Sequence, residues 1–101
     1  MNQAHIERSS DGSLQVSGEL TFATVTALNG KAAALFAQPS GELVIDLAGV
    51  SRADSAGLAL LIEWLRQAGH QGATLRFSHM PAQLHSIAAA SYLDTVLPVS
   101  V

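Results

Sequence analysis

Between Glu42 and Leu65 the chain reads Glu-Leu-Val-Ile-Asp-Leu-Ala-Gly-Val-Ser-Arg-Ala-Asp-Ser-Ala-Gly-Leu-Ala-Leu-Leu-Ile-Glu-Trp-Leu. The change of period inside that run constrains the fold more than any other feature. Leu43 to Leu47 is an apolar stretch with Asp46 as its one polar member, the pattern of a buried strand. After a short polar turn, Leu58, Leu61, Ile62, Leu65 and Ala68 recur at helical spacing and mark one face of a helix that begins at Ser55. A serine and an acid between the carboxyl end of a parallel strand and the amino end of a helix stand where open α/β sheets present chemistry or partners.

The rest of the chain supplies the partners for this unit. His5 to Ser9 and Leu14 to Ser17 alternate apolar and polar residues around Ser10-Asp11-Gly12-Ser13, which predicts an antiparallel hairpin. Val25, Leu28, Ala32, Leu35 and Phe36 predict a helix over 24–38, stopped by Pro39-Ser40-Gly41. Gly69-His70-Gln71-Gly72 ends the second helix, and Ala73 to Ser78 reads as a strand with Leu75 and Phe77 on one face. Pro81 suits the first turn of a third helix with Leu84, Ile87 and Ala88 inward. Val96 to Val99 reads as a last strand, confined to an edge or a strand end by Pro98. The order β-β-α-β-α-β-α-β predicts an α/β fold: a mixed, mostly parallel sheet with an N-terminal antiparallel hairpin and helices packed on it by right-handed crossovers. The length, 101 residues, predicts one domain spanning the chain.

Composition excludes several function classes. Eight acidic residues outnumber five basic ones, and the basic ones are scattered, which disfavours nucleic acid and anionic lipid as ligands. Only 13% of residues are charged, against about a quarter in ordinary soluble domains, and 49% are hydrophobic, which suggests that another protein covers part of the surface. With no cysteine there is no disulfide, thiolate metal site or cysteine nucleophile, and a reducing compartment is the natural setting. No apolar leader segment or bilayer-length apolar run is visible in the sequence, and the expected location is cytoplasmic.

Ser55 has two compatible roles. As a helix cap it would accept a backbone N–H, worth about 1 kcal/mol, and its hydroxyl could also be a contact or a phosphorylation site, since a helix amino terminus favours negative charge. A serine nucleophile is disfavoured: Ala53-Asp54-Ser55-Ala56-Gly57 lacks the first glycine of a nucleophile elbow, and the sheet is too small for that scaffold. His5, His70, His79 and His85 match no metal-ligand spacing and read as surface or turn residues. No phosphate-cradling glycine motif occurs, so any ATP is bound by another chain. No cofactor is expected. Asp54 reads as a loop acid or a second capping group. Gly57, in a helix's first turn, signals close approach of another group. Wheeled at about 100° per residue, Gly57, Leu60 and Trp64 fall on a flank turned away from the sheet side. Trp64 and Leu60 there either cover the core rim or form the centre of an interface.

Taken together, Ser17-Gly18-Glu19-Leu20, Val44-Ile45-Asp46-Leu47 and Asp54-Ser55-Ala56-Gly57 resemble the STAS domain family, the sulphate transporter and anti-sigma factor antagonist fold. In that family the Asp-Ser/Thr-x-Gly turn holds a regulatory hydroxyl, and Ser55 matches it. Val50 to Leu61, Leu84-x-x-Ile87-Ala88 and Val96-Leu97-Pro98 are most similar to its MlaB branch, the small cytoplasmic STAS subunits of the Mla phospholipid ABC transporter, which maintains outer-membrane lipid asymmetry. The resemblance implies a non-catalytic module that binds the MlaF-like ATPase subunit, and through it the permease at the inner membrane. The partner-binding residues would be Arg52, Asp54, Ser55, Gly57, Leu60 and Trp64. The alternative is an anti-sigma factor antagonist whose partner is an anti-sigma factor kinase, released when Ser55 is phosphorylated.

Overall fold

The structure, a computed structural model, describes residues 3–36, 41–91 and 97–100. A hairpin opens the chain: β1 (Ala4–Arg8) pairs antiparallel with β2 (Leu14–Leu20). Asp11 organises its turn, accepting hydrogen bonds from Ser13 N at 3.0 Å, Ser13 Oγ at 2.7 Å and the Ser9 hydroxyl. Those donors hold the Asp11 carboxyl below the usual range, at about 2. The hairpin's far end closes against Gly18, whose φ is +90° and where a Cβ would lie 2.2 Å from the Gln3 carbonyl oxygen, so only glycine fits.

The chain then alternates helix and strand: α1 (Val25–Phe36), β3 (Glu42–Ala53), α2 (Ser55–His70), β4 (Thr74–Ser78), α3 (Ala82–Ala90) and the two-residue β5 (Val99–Ser100). The five strands lie in the order β1-β2-β3-β4-β5, parallel from β2 onward. The mixed α/β sheet with its opening hairpin is the architecture expected from the sequence. The predicted end of the first helix at 37–38, its stop at Pro39-Ser40 and the start of the last strand at Val96 lie outside the described residues.

Burial along the strands has a period of two. Leu14 and Val16 of β2, Leu43, Ile45 and Leu47 of β3, and Leu75 and Phe77 of β4 are buried, while Gln15, Ala48, Thr74 and Arg76 are exposed. The helices cover the buried face. There α2 contacts β2, β3 and β4 and lies between α1 and α3. Leu28, Ala32 and Phe36 of α1, Leu58, Leu61 and Ala68 of α2, and Leu84 and Ala88 of α3 close the core. The opposite face is held by polar pairs, including Arg76 to Glu42 at 3.1 Å and His79 to Asp46 at 3.0 Å.

One strand is longer than its sequence suggests. Ser51, Arg52 and Ala53, read as part of a polar turn, belong to β3. They continue pairing with β2 through Glu19↔Arg52 and Leu20↔Ala53, past two register shifts. Such irregularities break the alternation that marks a strand. Gly49 and two polar residues then disguised the remainder.

Candidate functional site

The carboxyl end of β3 delivers Asp54 and Ser55 to the start of α2. Asp54 has extended backbone angles and is the helix N-cap: its Oδ1 accepts from Ala56 N at 2.9 Å and Gly57 N at 3.2 Å. Its Oδ2 accepts from Phe22 N at 3.1 Å, which ties the β2–α1 loop to the helix. The capping role assigned to Ser55 by the sequence therefore passes to Asp54, one residue earlier. An aspartate reaches two N–H groups with one oxygen and a third with the other, whereas a serine offers a single oxygen. Ser55 is the first residue of α2 and is exposed, leaving its hydroxyl available to a partner.

Gly57 is buried, and the close approach it signals is made by the chain itself. A Cβ there would lie 2.4 Å from the Leu20 carbonyl oxygen and 2.9 Å from Leu20 Cβ. The Leu20 carbonyl also accepts Asp54 N–H at 3.1 Å. Strand β2 thus abuts the first turn of α2, and Gly57 is part of that seam rather than of an outer surface.

The flank of α2 is likewise internal. Trp64 is fully buried and Leu60 is 5% exposed. The Trp64 ring meets Phe36 edge-on, with centroids 5.8 Å apart and planes at 81°, and its Nε1 donates to Asn29 Oδ1 at 3.1 Å. Of the two roles open to this flank, packing against the core is the one the structure shows, and the exposed interface centred on Trp64 and Leu60 is not formed, although Leu60 still borders a groove between α1 and α2. As the middle helix of three, α2 turns its flank toward α1 rather than toward solvent.

Among the described residues, the large apolar side chain that does face solvent is Phe22, 84% exposed, to which the sequence patterns assign no role. Its loop is firmly held: Thr24 Oγ1 accepts from Thr21 N at 3.1 Å and donates to the Glu19 carbonyl at 2.6 Å, while Asp54 holds Phe22 N. A sequence signal existed, since Thr21-Phe22-Ala23-Thr24 places a phenylalanine outside both flanking periodic patterns. Beside it, Val25, Thr26, Asn29, Ala56, Ala59 and Leu60 line an open groove of about 320 Å³ between α1 and α2. None of these side chains is charged. Arg52 is exposed on β3, two residues before Asp54.

The arrangement offers contact surface: an exposed phenylalanine, an uncharged groove and an exposed serine. No histidine lies at the start of α2: His5 is on β1, His70 is in the last turn of α2 and His85 is on α3. His79 follows β4 with φ +56° and pairs with Asp46. Among the described residues no three potential metal ligands converge, and no helix is long and apolar enough to cross a membrane.

A family model described as "Mlab, STAS domain" matches residues 5–98. The chain belongs to this STAS family. Its fold is shared with the anti-sigma factor antagonist SpoIIAA in its unphosphorylated form, at TM-score 0.71 and 15% identity over 97% of this chain and 88% of that one. An anti-sigma factor antagonist from Mycobacterium paratuberculosis is similar at TM-score 0.75 and 25% identity, covering 95% of this chain and 82% of the other. The structure of SLC26A9 contains a similar unit, at TM-score 0.63 and 21% identity over 86% of this chain and 17% of that chain. No curated protein sequence matches the chain.

Proposed function

We propose that this STAS domain is a non-catalytic subunit that docks on the ATP-binding subunit of a phospholipid ABC transporter and supports its activity. The observation that carries this reading is the exposed Phe22 beside an uncharged groove walled by Ala56 and Ala59, next to the Ser55 hydroxyl. The family description favours a transporter ATPase as the partner. The docking face comprises Phe22, Val25, Thr26, Asn29, Ser55 and Ala59, with Arg52 at its rim. Asp54 acts from behind, by fixing Phe22 and the first turn of α2. A specific protein interface covers about 800 Å² per partner, so the groove alone is too small and the contact must extend over Phe22 and Ser55. A subunit that binds one conformation of the ATPase more tightly shifts the ATPase toward it. The complex would lie on the cytoplasmic side of the inner membrane.

The test is co-purification with the transporter ATPase and measurement of its turnover, using Phe22→Ser, Ser55→Asp and Ala59→Arg proteins with unchanged melting curves. Loss of association in these variants is expected. Full association and turnover in all three would contradict the docking face.

A second reading, a partner-switching antagonist of an anti-sigma factor, draws on the exposed Ser55 hydroxyl and the likeness to anti-sigma factor antagonists. A phosphate on Ser55 would face the Asp54 carboxylate and add like-charge repulsion at the contact. Intact mass spectrometry of the native protein separates the two: stoichiometric phosphate on Ser55 supports switching, and co-isolation with an ABC ATPase supports the transporter reading.

A further inference from the structure

We propose that Gln83, on α3, is a positioning residue for the docking turn, an inference that rests on the docking reading above. Backbone N–H groups along a strand point alternately to its two edges. Asp54 N–H goes to Leu20 of β2, so the preceding N–H, that of Ala53, points to the other edge. The strand that would receive it has already left: the last β3–β4 pair is Asp46↔Ser78, and β3 runs on to Ala53. Ala53 is 2% exposed, so the alternative of hydration is restricted. Gln83 Oε1 accepts this N–H at 2.8 Å and takes the place of the missing neighbour strand.

The consequence reaches the surface. Ala53 immediately precedes Asp54, whose carboxylate sets both the α2 cap and the Phe22 backbone. Three elements therefore converge on two residues. Strand β2 holds Asp54 N–H, the β2–α1 loop is held by Asp54 Oδ2, and α3 holds Ala53 N–H through Gln83. Helix α3 has no side-chain hydrogen bond at its own cap, Pro81, so the first-turn polar contact it makes here serves β3. Without this acceptor the end of β3 gains freedom that must be lost again when a partner binds.

Gln83→Leu keeps the size and removes the acceptor, while Gln83→Glu keeps an acceptor oxygen at the same reach. Amide hydrogen exchange in the free protein should speed up about tenfold at Ala53 in Gln83→Leu and stay near wild type in Gln83→Glu, with the β1–β2 hairpin unchanged. Affinity for the transporter ATPase should fall about tenfold in Gln83→Leu and be retained in Gln83→Glu. Unchanged exchange at Ala53, or equal loss of binding in both variants, would overturn the proposal. So would normal ATPase affinity in Gln83→Leu. If Ala59→Arg still abolishes binding in that case, docking stands and only the role of Gln83 falls; if neither matters, the docking reading falls with it.

Discussion

Replacing Gly57 by alanine sets two opposed effects against each other at one atom. Alanine in place of glycine inside a helix is worth about 1 kcal/mol in favour of folding. Against that, the new Cβ would start 2.4 Å from the Leu20 carbonyl oxygen, and contacts under 3.0 Å are essentially never seen, so the first turn of α2 must retreat by roughly 0.6 Å. That oxygen cannot simply yield, because it accepts Asp54 N–H at 3.1 Å, and moving the helix stretches the Asp54 cap bonds as well. Overpacking against a fixed group costs about 1–3 kcal/mol, which, with the lost cap geometry, outweighs the propensity gain by about 1–2 kcal/mol. For a domain of this size that lowers Tm by about 5–15 °C. Gly30→Ala is the internal control: it lies inside α1 with nothing within 4 Å of the added methyl, so the propensity effect acts alone and Tm should rise. Thermal melts followed by circular dichroism read both. A Gly57→Ala protein melting at or above wild type would show that the seam between β2 and α2 is not tight, and would refute the reasoning.

Other perturbations test the remaining assignments. Asp54→Ala should cost about 1–2 kcal/mol because three N–H groups lose their acceptor, whereas Ser55→Ala should stay within about 0.5 kcal/mol; urea titration of the two compares them, and the reverse order would restore the cap to Ser55. Trp64 is the sole tryptophan, so its native emission should be blue-shifted and resist acrylamide. Trp64→Ala should lose about 3–5 kcal/mol and melt broadly rather than merely lose a partner. The Asp11 carboxyl should titrate at about 2 by NMR and move up part of the way in Ser9→Ala, which removes its strongest donor and leaves both Ser13 donors in place. Since its folded pKa is lowered, its small stabilising effect is present above the unfolded value near 3.8 and is lost as pH falls through about 2.

The sequence carried those parts of the fold that depend on local period. The Asp-Gly turn announced the hairpin, the i, i+3, i+4 spacing of Leu58, Leu61, Ile62 and Leu65 announced α2, and Leu43 to Leu47 announced the core of β3. What stayed hidden depends on neighbours. A helical wheel gives the angle of Trp64 and Leu60 to the sheet, but not that α1 covers that angle; only the packing of three helices in one layer decides it. Ser55 and Asp54 are both good caps by residue type, and the choice between them turns on where β3 stops pairing with β2. Phe22 went unassigned because it belongs to no periodic pattern, which is also why it escapes the core.

The central claim is that the face made by Phe22, the α1–α2 groove and the exposed start of α2 receives a second protein. Amide hydrogen exchange on the domain, free and then saturated with the transporter ATPase, tests it most directly. The account predicts slowed exchange confined to residues 22–29 and 55–60, with the open face of the sheet around Gln15, Ala48 and Arg76 unchanged. Protection on the sheet face, with Phe22 and Ser55 left as exposed as in the free domain, would contradict it.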